Sequence, residues 1–378
     1  MKFNLSDFGK HKNFAPISLT KPIACIRMGI FTNVERYASY LPEAHIGYET
    51  EDYLANKYPS VDSDLTINAC VLPNPDLIAA IIHLDDNQSL YYEEVLLAKK
   101  GAGKEVVKFT GVELIIIEER WDVFQKNAAA LDLDFIHATE ERKTQVLSPT
   151  NLLIGPENRL FIEEGASVEG CTLNTSEGPI YIGKHATIME GSLIRGGLAL
   201  NEYATIKMGA KIYGATTIGP HCKVGGEVNN VIFQAYSNKG HDGFLGNSLI
   251  GEWCNLGADT NTSNLKNNYS NVRTYSYSSK TEVQTDLQFI GLSMGDYSKC
   301  AINTMFNTAT VVGVSCNIFT HGFPKKYIPS FSWVQGEAYT INKLEKAFDA
   351  ANNMMHRRKL SLSKEDKAIL THIEHSKY

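Results

Sequence analysis

The residues most able to do chemistry in this chain lie in one polar, glycine-rich segment, 237-SNKGHDGFLGNSLIGEWCNLGADTNTSNLKNNY-269, which holds a single histidine and several asparagines. An imidazole titrates near neutrality, so His241 is suited to taking a proton from an attacking nucleophile. Asn255 and Asn264 stand in the same segment. The plainer alternatives stay open at this point, because an exposed loop also carries histidine and turns favour asparagine.

What must position these groups is written in the same region as a period of six. Counting in sixes from Ile182 meets Ile188, Ile194, Leu200, Ile206, Ile212, Ile218 and Val224. Four places after each stand Ala186, Ser192, Leu198, Ala204, Ala210, Thr216, Cys222 and Val228, nearly all small or β-branched. The register begins at Ile162 and Val168, and returns at Ile250 and Leu256 and again from Met294 to Ile318. Such a repeat implies a parallel β-helix in which three hexads make one triangular coil, so that Ile182, Leu200 and Ile218 stack as a ladder. The stretches 230–249 and 262–293 break the count and are expected to leave the prism as loops.

The front of the chain reads differently. Short apolar runs alternate with helical ones from Pro22 to about Phe135, the pattern of an α/β layer domain. Candidate strands are 66–72 and 112–118. A helix is expected over 74–84, with Asn74 as N-cap and Pro75 following it, and a second over 121–131. Beyond Trp333 the text 341–375 is charged and helical, with Ser363 and Glu365 starting a last helix that is expected to cap the open coil end or pack on a neighbouring subunit. The expected division is 1–145, 146–336 and 337–378.

Composition agrees with several domains and narrows the partners. The 378 residues predict two or three domains. With 36 Lys+Arg against 42 Asp+Glu, the net charge of −6 disfavours binding nucleic acid through bulk charge. Seven scattered cysteines without metal-ligand spacing point to a reducing compartment. No run approaches a membrane span and no signal-like segment opens the chain, so a soluble, cytoplasmic protein is expected.

Gly240-His241, Phe244-Leu245-Gly246, Asn255-Leu256-Gly257-Ala258 and Asn264 together resemble the acetyltransferase site of GlmU-type enzymes. The resemblance implies a left-handed coil, a homotrimer, and acetyl transfer from acetyl-CoA to the 2-amino group of a hexosamine 1-phosphate with His241 as general base. It further implies that Asn255 and Asn264 face the sugar and thioester, that Lys207, Lys211, Lys223, Lys239 and Lys266 are candidates for the sugar phosphate, and that the oxyanion sits near Ala258. By the same resemblance Lys299, Lys325 and Lys326 are candidates for holding the CoA phosphates. Phe244 and Leu265 stand where the family has tyrosines, Ser270 where it has a lysine, and the family's upstream lysine falls near Asn229 or Asn230.

The segment 14-FAPISLTKPIACIRMGIFTNVERY-37 is similar to sugar-1-phosphate nucleotidyltransferases through Pro16, Leu19, Thr20, Lys21 and Pro22. That likeness implies uridylyl transfer from UTP with Mg²⁺, nucleotide contacts by Lys10, Thr20, Lys21 and Arg27, and Asp7 as a metal ligand. The stretch before it, 4-NLSDFGKHKNF-14, has one glycine where the family has several. Three readings follow. The first is a bifunctional enzyme giving UDP-N-acetylglucosamine. The second is an acyltransferase whose front domain binds a nucleotide sugar without phosphoryl transfer, and the third is a scaffold or carbohydrate-binding coil with no chemistry.

Overall fold

The computed structural model of the chain describes residues 1–376. The front domain is built on a six-stranded sheet in the order His45–Glu49, Lys2–Ser6, Leu65–Asn68, Val95–Lys100, Gln88–Tyr92, Glu105–Lys108. The first three strands run parallel, and Val95–Lys100 runs antiparallel to Leu65–Asn68. Phe3, Leu5 and Ile67 are fully buried, as strands covered on both faces require.

Asn74 caps the helix Pro75–Ile82 as expected: its Oδ1 accepts from the Leu77 N–H at 2.8 Å, and Pro75 fills the first turn, where no N–H is needed. Leu65–Asn68 forms the first expected strand. The second, 112–118, forms only a single bridge, Val71 with Ile116. Its apolar run is held by two backbone hydrogen bonds, Leu72 N–H to Ile115 and Ile117 N–H to Cys70, too few for a ladder. The helix expected over 121–131 divides into Asp122–Gln125 and Asn127–Thr139. At the break Asn127 turns inward; its Oδ1 accepts from the Gly29 N–H at 2.6 Å and its Nδ2 donates to Ala215 O at 2.8 Å.

Behind this domain the chain winds into a three-walled parallel β-solenoid whose rungs are the residues counted in sixes. Ile162, Ile182, Leu200 and Ile218 stack on one wall. Val168, Ile188, Ile206 and Val224 stack on the second, and Leu173, Ile194, Ile212 and Val228 on the third. All are buried in one apolar column. Each contributes about 1.5–3 kcal/mol by leaving water. The small residues Ala186, Ser192, Ala204, Ala210, Thr216 and Cys222 are fully buried where the coil turns.

The two breaks in the count differ in kind. Residues 230–249 do not leave the solenoid. Glu227–Phe233 and Phe244–Ile250 pair in parallel over nearly their full length, and the coil merely changes length, Ile218 pairing with Phe233 and Phe233 with Ile250. Only the bend around His241 turns outward.

The second break is a true insertion. The chain leaves after Thr262, forms the antiparallel pair Arg273–Ser276 and Thr281–Gln284, and returns at Ser293–Met294. This hairpin reaches the front domain, where Ser278 Oγ donates to Asn13 Oδ1 at 2.7 Å and Arg120 Nη2 donates to Thr274 Oγ1 at 2.8 Å and Tyr275 O at 2.6 Å.

The terminal helices do not cap the column. Its end is closed by the hairpin Ser332–Gln335 and Ala338–Ile341, with Tyr339 packed against the rungs. Helices Leu344–His356 and Lys364–Ser376 instead pack beside the coils against Trp253, Tyr297, Val314 and Phe331, together with Leu19 and Leu54 of the front domain. The last helix starts at Ser363 as read. Ser363 Oγ accepts from the Asp366 N–H at 3.0 Å, and the Ser363 N–H donates to Asp366 Oδ2 at 3.3 Å, a reciprocal cap. No helix among the described residues is long and apolar enough to cross a membrane.

Candidate functional site

Two consecutive coils bring most of the glycine-rich segment together. The strand Asn238–Lys239 lies between Lys223–Val224 and Asn255–Leu256, so Lys223, Asn238, Asn255 and Lys299 form one outward row, with neighbours about 4.8 Å apart. Past this row the chain bends at His241, which is exposed and whose ring makes no hydrogen bond among the described residues. The next coil passes directly over the bend: the Asp259 N–H donates to Asp242 O at 3.0 Å, which sets Ala258 beside His241. The Ala258 N–H itself has no acceptor among the described residues, so a donor is free next to the imidazole's coil.

On the far side of the bend, Phe244 N–H donates to Asn261 Oδ1 at 2.8 Å, and Asn264 Nδ2 donates to Asn247 Oδ1 at 2.8 Å. Gly246 makes this approach possible. A Cβ there would lie 2.6 Å from Asn264 Nδ2 and 2.7 Å from the Phe244 ring. His241, Asn255, Ala258 and Asn264 thus share two adjacent coils, with Phe244 at the start of the strand that follows the bend.

The lysines are dispersed. Lys211 is exposed on a different wall, in register with Glu227 and Phe244. Lys266 is folded back into the insertion, donating to Ser270 Oγ at 3.1 Å and Asn271 O at 3.0 Å. Lys239, expected to face a phosphate, points into the column and is 1% exposed. Lys299 stays on the Asn255 row; its Nζ donates to Tyr297 O at 3.2 Å, and burial holds its amine below the ordinary lysine value. Lys325 and Lys326 do not join it. They precede Tyr327–Ile328, which belongs to another wall, and Lys326 Nζ donates to Arg273 O at 2.8 Å while Lys325 lies over the Tyr339 ring.

The front-domain candidates are largely committed elsewhere. Asp7 is 3% exposed and accepts three hydrogen bonds: at Oδ1 from the Ile23 N–H at 3.0 Å, and at Oδ2 from Thr50 Oγ1 at 2.6 Å and His11 at 2.7 Å. A carboxylate so enclosed does not fit the open oxygen shell Mg²⁺ demands, and among the described residues no group of three or more His, Cys, Asp or Glu could hold a metal. Thr20 and Lys21 turn towards the solenoid, Thr20 Oγ1 donating to Asp296 at 2.6 Å and Lys21 Nζ pairing with Glu252 at 2.5 Å and Asp296 at 3.0 Å. Arg27 pairs with Glu35 at 2.8 Å and donates to Ile30 O. Lys10 remains partly exposed, on Glu118 at 2.6 Å, and that contact holds the Glu118 carboxyl below its ordinary range.

One feature escaped the hexad reading. His185, Tyr203, His221, Tyr236 and Trp253 stack along one coil corner with ring centroids 5.1, 5.0, 4.9 and 4.2 Å apart. Each has φ between 56° and 60° and follows a rung residue by three places. The signal was the spacing of 18 from His185 to Tyr203 to His221.

Residues 4–143 match the family model of sugar nucleotidyl transferases. The front domain is accordingly an α/β nucleotidyltransferase-like domain, joined to a parallel β-solenoid and C-terminal helices. Among solved structures, the chain is similar to a UDP-N-acetylglucosamine acyltransferase from Arabidopsis at 16% identity, covering 59% of this chain and 85% of that one, with a TM-score of 0.24. Similar too are LpxA, a UDP-N-acetylglucosamine acyltransferase from Bacteroides fragilis (15% identity, 61% and 97% covered, TM-score 0.27), and the Campylobacter jejuni UDP-N-acetylglucosamine acyltransferase (14%, 59% and 94%, TM-score 0.24). The coil assignment rests on the rung register described above, not on these likenesses. No curated protein matches the sequence.

Proposed function

We propose that the chain is a transferase of sugar-nucleotide metabolism, acting as an acyltransferase at the solenoid face around His241. His241 takes the proton from the 2-amino group of a hexosamine 1-phosphate as that nitrogen attacks the thioester carbonyl of acetyl-CoA. Asn255 and Asn264 orient the sugar and thioester, and the free Ala258 N–H meets the oxyanion. Lys299, next to Asn255, and Lys223, at the other end of the row, give it positive charge suited to phosphate. The observation that supports the reading is that an unpartnered imidazole, a free backbone N–H and two asparagines lie on two adjacent coils. The unpaired state of all seven cysteines supports a reducing compartment, the cytoplasm, as the place of action. A trimer of chains would set a second wall against this face.

For the front domain, the enclosed Asp7 and the commitment of Lys21 and Arg27 to internal ion pairs favour binding of a nucleotide sugar without uridylyl transfer. The family match over residues 4–143 supports the bifunctional reading, with UTP and Mg²⁺ giving UDP-N-acetylglucosamine. Thiol release from acetyl-CoA with glucosamine 1-phosphate tests the first part, and its absence with any amino sugar phosphate sinks it. Pyrophosphate formed from UTP, Mg²⁺ and N-acetylglucosamine 1-phosphate restores the bifunctional reading.

A further inference from the structure

Lys239 occupies a place that the coil reserves for an aliphatic side chain. The register sets Val224 beneath it, and its neighbour Asn238 pairs with Asn255, which sets Leu256 above it. Val224 and Leu256 belong to the apolar column, and Lys239 between them is 1% exposed. A buried ammonium is tolerated only where it is hydrogen-bonded. Lys239 Nζ finds two acceptors, Gly225 O on the coil below and His241 O at the bend, each at 3.0 Å.

The second of these contacts falls on a weakly constrained segment. Gly240 and Gly243 flank the bend, Gly243 with φ of +110°, and the His241 ring has no partner among the described residues. The carbonyls on either side are held by backbone donors: Lys239 O by Gly225 N–H at 2.7 Å, Asp242 O by Asp259 N–H at 3.0 Å and Gly243 O by Glu227 N–H at 3.2 Å. At His241 itself the tie is the lysine.

We infer that Lys239 is a positioning residue whose buried amine joins the carbonyl of His241 to that of Gly225 and so fixes the direction in which the imidazole leaves the coil. This rests on the reading of His241 as the base. Burial draws the Lys239 amine down to about 8, while Asp242 and Asp259, the charged groups facing it, work against that drop. Near neutrality the amine therefore still carries the charge that makes both contacts strong.

The test is Lys239→Met, which returns an unbranched apolar side chain to the rung. Hydrogen exchange followed by mass spectrometry should show the peptide spanning 238–246 exchanging about ten-fold faster at pH 7, with peptides across Ile188–Ile206 unchanged. In acetyl transfer, kcat should fall about ten-fold or more with the KM for acetyl-CoA unaltered. Unchanged exchange at the bend overturns the inference whatever the kinetics, and unchanged kcat with faster exchange overturns the positioning role. If the wild-type chain transfers no acyl group, the reading of His241 fails, while the exchange result still decides whether Lys239 holds the bend. A Lys239→Met chain that does not fold is replaced by Lys239→Leu, read in the same two ways.

Discussion

Thr20 of the front domain donates its hydroxyl to Asp296 of the solenoid at 2.6 Å, across 276 residues of sequence. The contact is the centre of a buried junction: Asp296 Oδ1 also accepts from the Glu252 N–H at 2.8 Å, and Lys21 pairs with both carboxylates. Burial alone would lower the Lys21 ammonium's pKa, yet Asp296 and Glu252 hold it above the ordinary lysine value. Residues that resemble a nucleotide signature thus serve here to join two domains.

Removing Asp296 leaves the buried Lys21 ammonium with Glu252 as its one remaining carboxylate partner and the Thr20 hydroxyl without its acceptor. Asp296→Ala should destabilise the chain by about 3–5 kcal/mol, and Thr20→Val by about 1 kcal/mol, since it removes one hydrogen bond and leaves the ion pair. Urea unfolding midpoints check both. An Asp296→Ala loss below about 1 kcal/mol would show that the junction contributes little.

The column makes a contrast between two isoleucines. Ile206 is fully buried in the rung ladder, whereas Ile302 is 66% exposed on the outside of a coil. Ile206→Ala should cost about 2–4 kcal/mol and Ile302→Ala less than about 0.5 kcal/mol, measured by the same unfolding curves. Equal losses would contradict the inward assignment of the hexad positions.

For the proposed chemistry, His241→Ala should lower kcat for acetyl transfer by about 10²-fold or more while the affinity for acetyl-CoA stays within about two-fold. The ring touches no other side chain through a hydrogen bond among the described residues, so the melting temperature should not move. Turnover at the wild-type rate removes His241 from the mechanism.

Lys239 also sets a pH dependence of stability. Its amine sits at about 8 in the folded chain against an ordinary value of 10.5, so between these pH values the unfolded chain binds more protons. Stability should therefore rise with pH across that window, by about 3 kcal/mol, and be flat in this contribution below and above it. Subtracting the Lys239→Met unfolding curves from those of the wild type isolates the slope. A difference that is constant from pH 7 to about 11 would place the amine at its ordinary value.

The rungs could be read directly because every one of Ile182 to Val224 is aliphatic and the interval never varies there. The reading lost Lys239 where the coils change length between Ile218 and Ile250: counting on in sixes from Val224 lands on Asn230, and a lysine is taken for surface. His241, Asn255, Ala258 and Asn264 were legible as a group because they lie on adjacent coils and so are near one another in sequence as well as in space. Thr20 and Lys21 were not, because Asp296 and Glu252 that engage them lie more than 200 residues away. The C-terminal helices were visible by composition, but nothing local says that their apolar face meets Trp253 and Leu54 rather than the coil end.

The stacked corner rings end at Trp253, which is 6% exposed beneath the terminal helices, while Trp121 is half-buried and Trp333 is 37% exposed. The chain therefore carries its own optical reporter. Emission from the shielded indole shifts to longer wavelength when the helical pair lifts away and water enters, so detachment of that pair can be followed by fluorescence without any label.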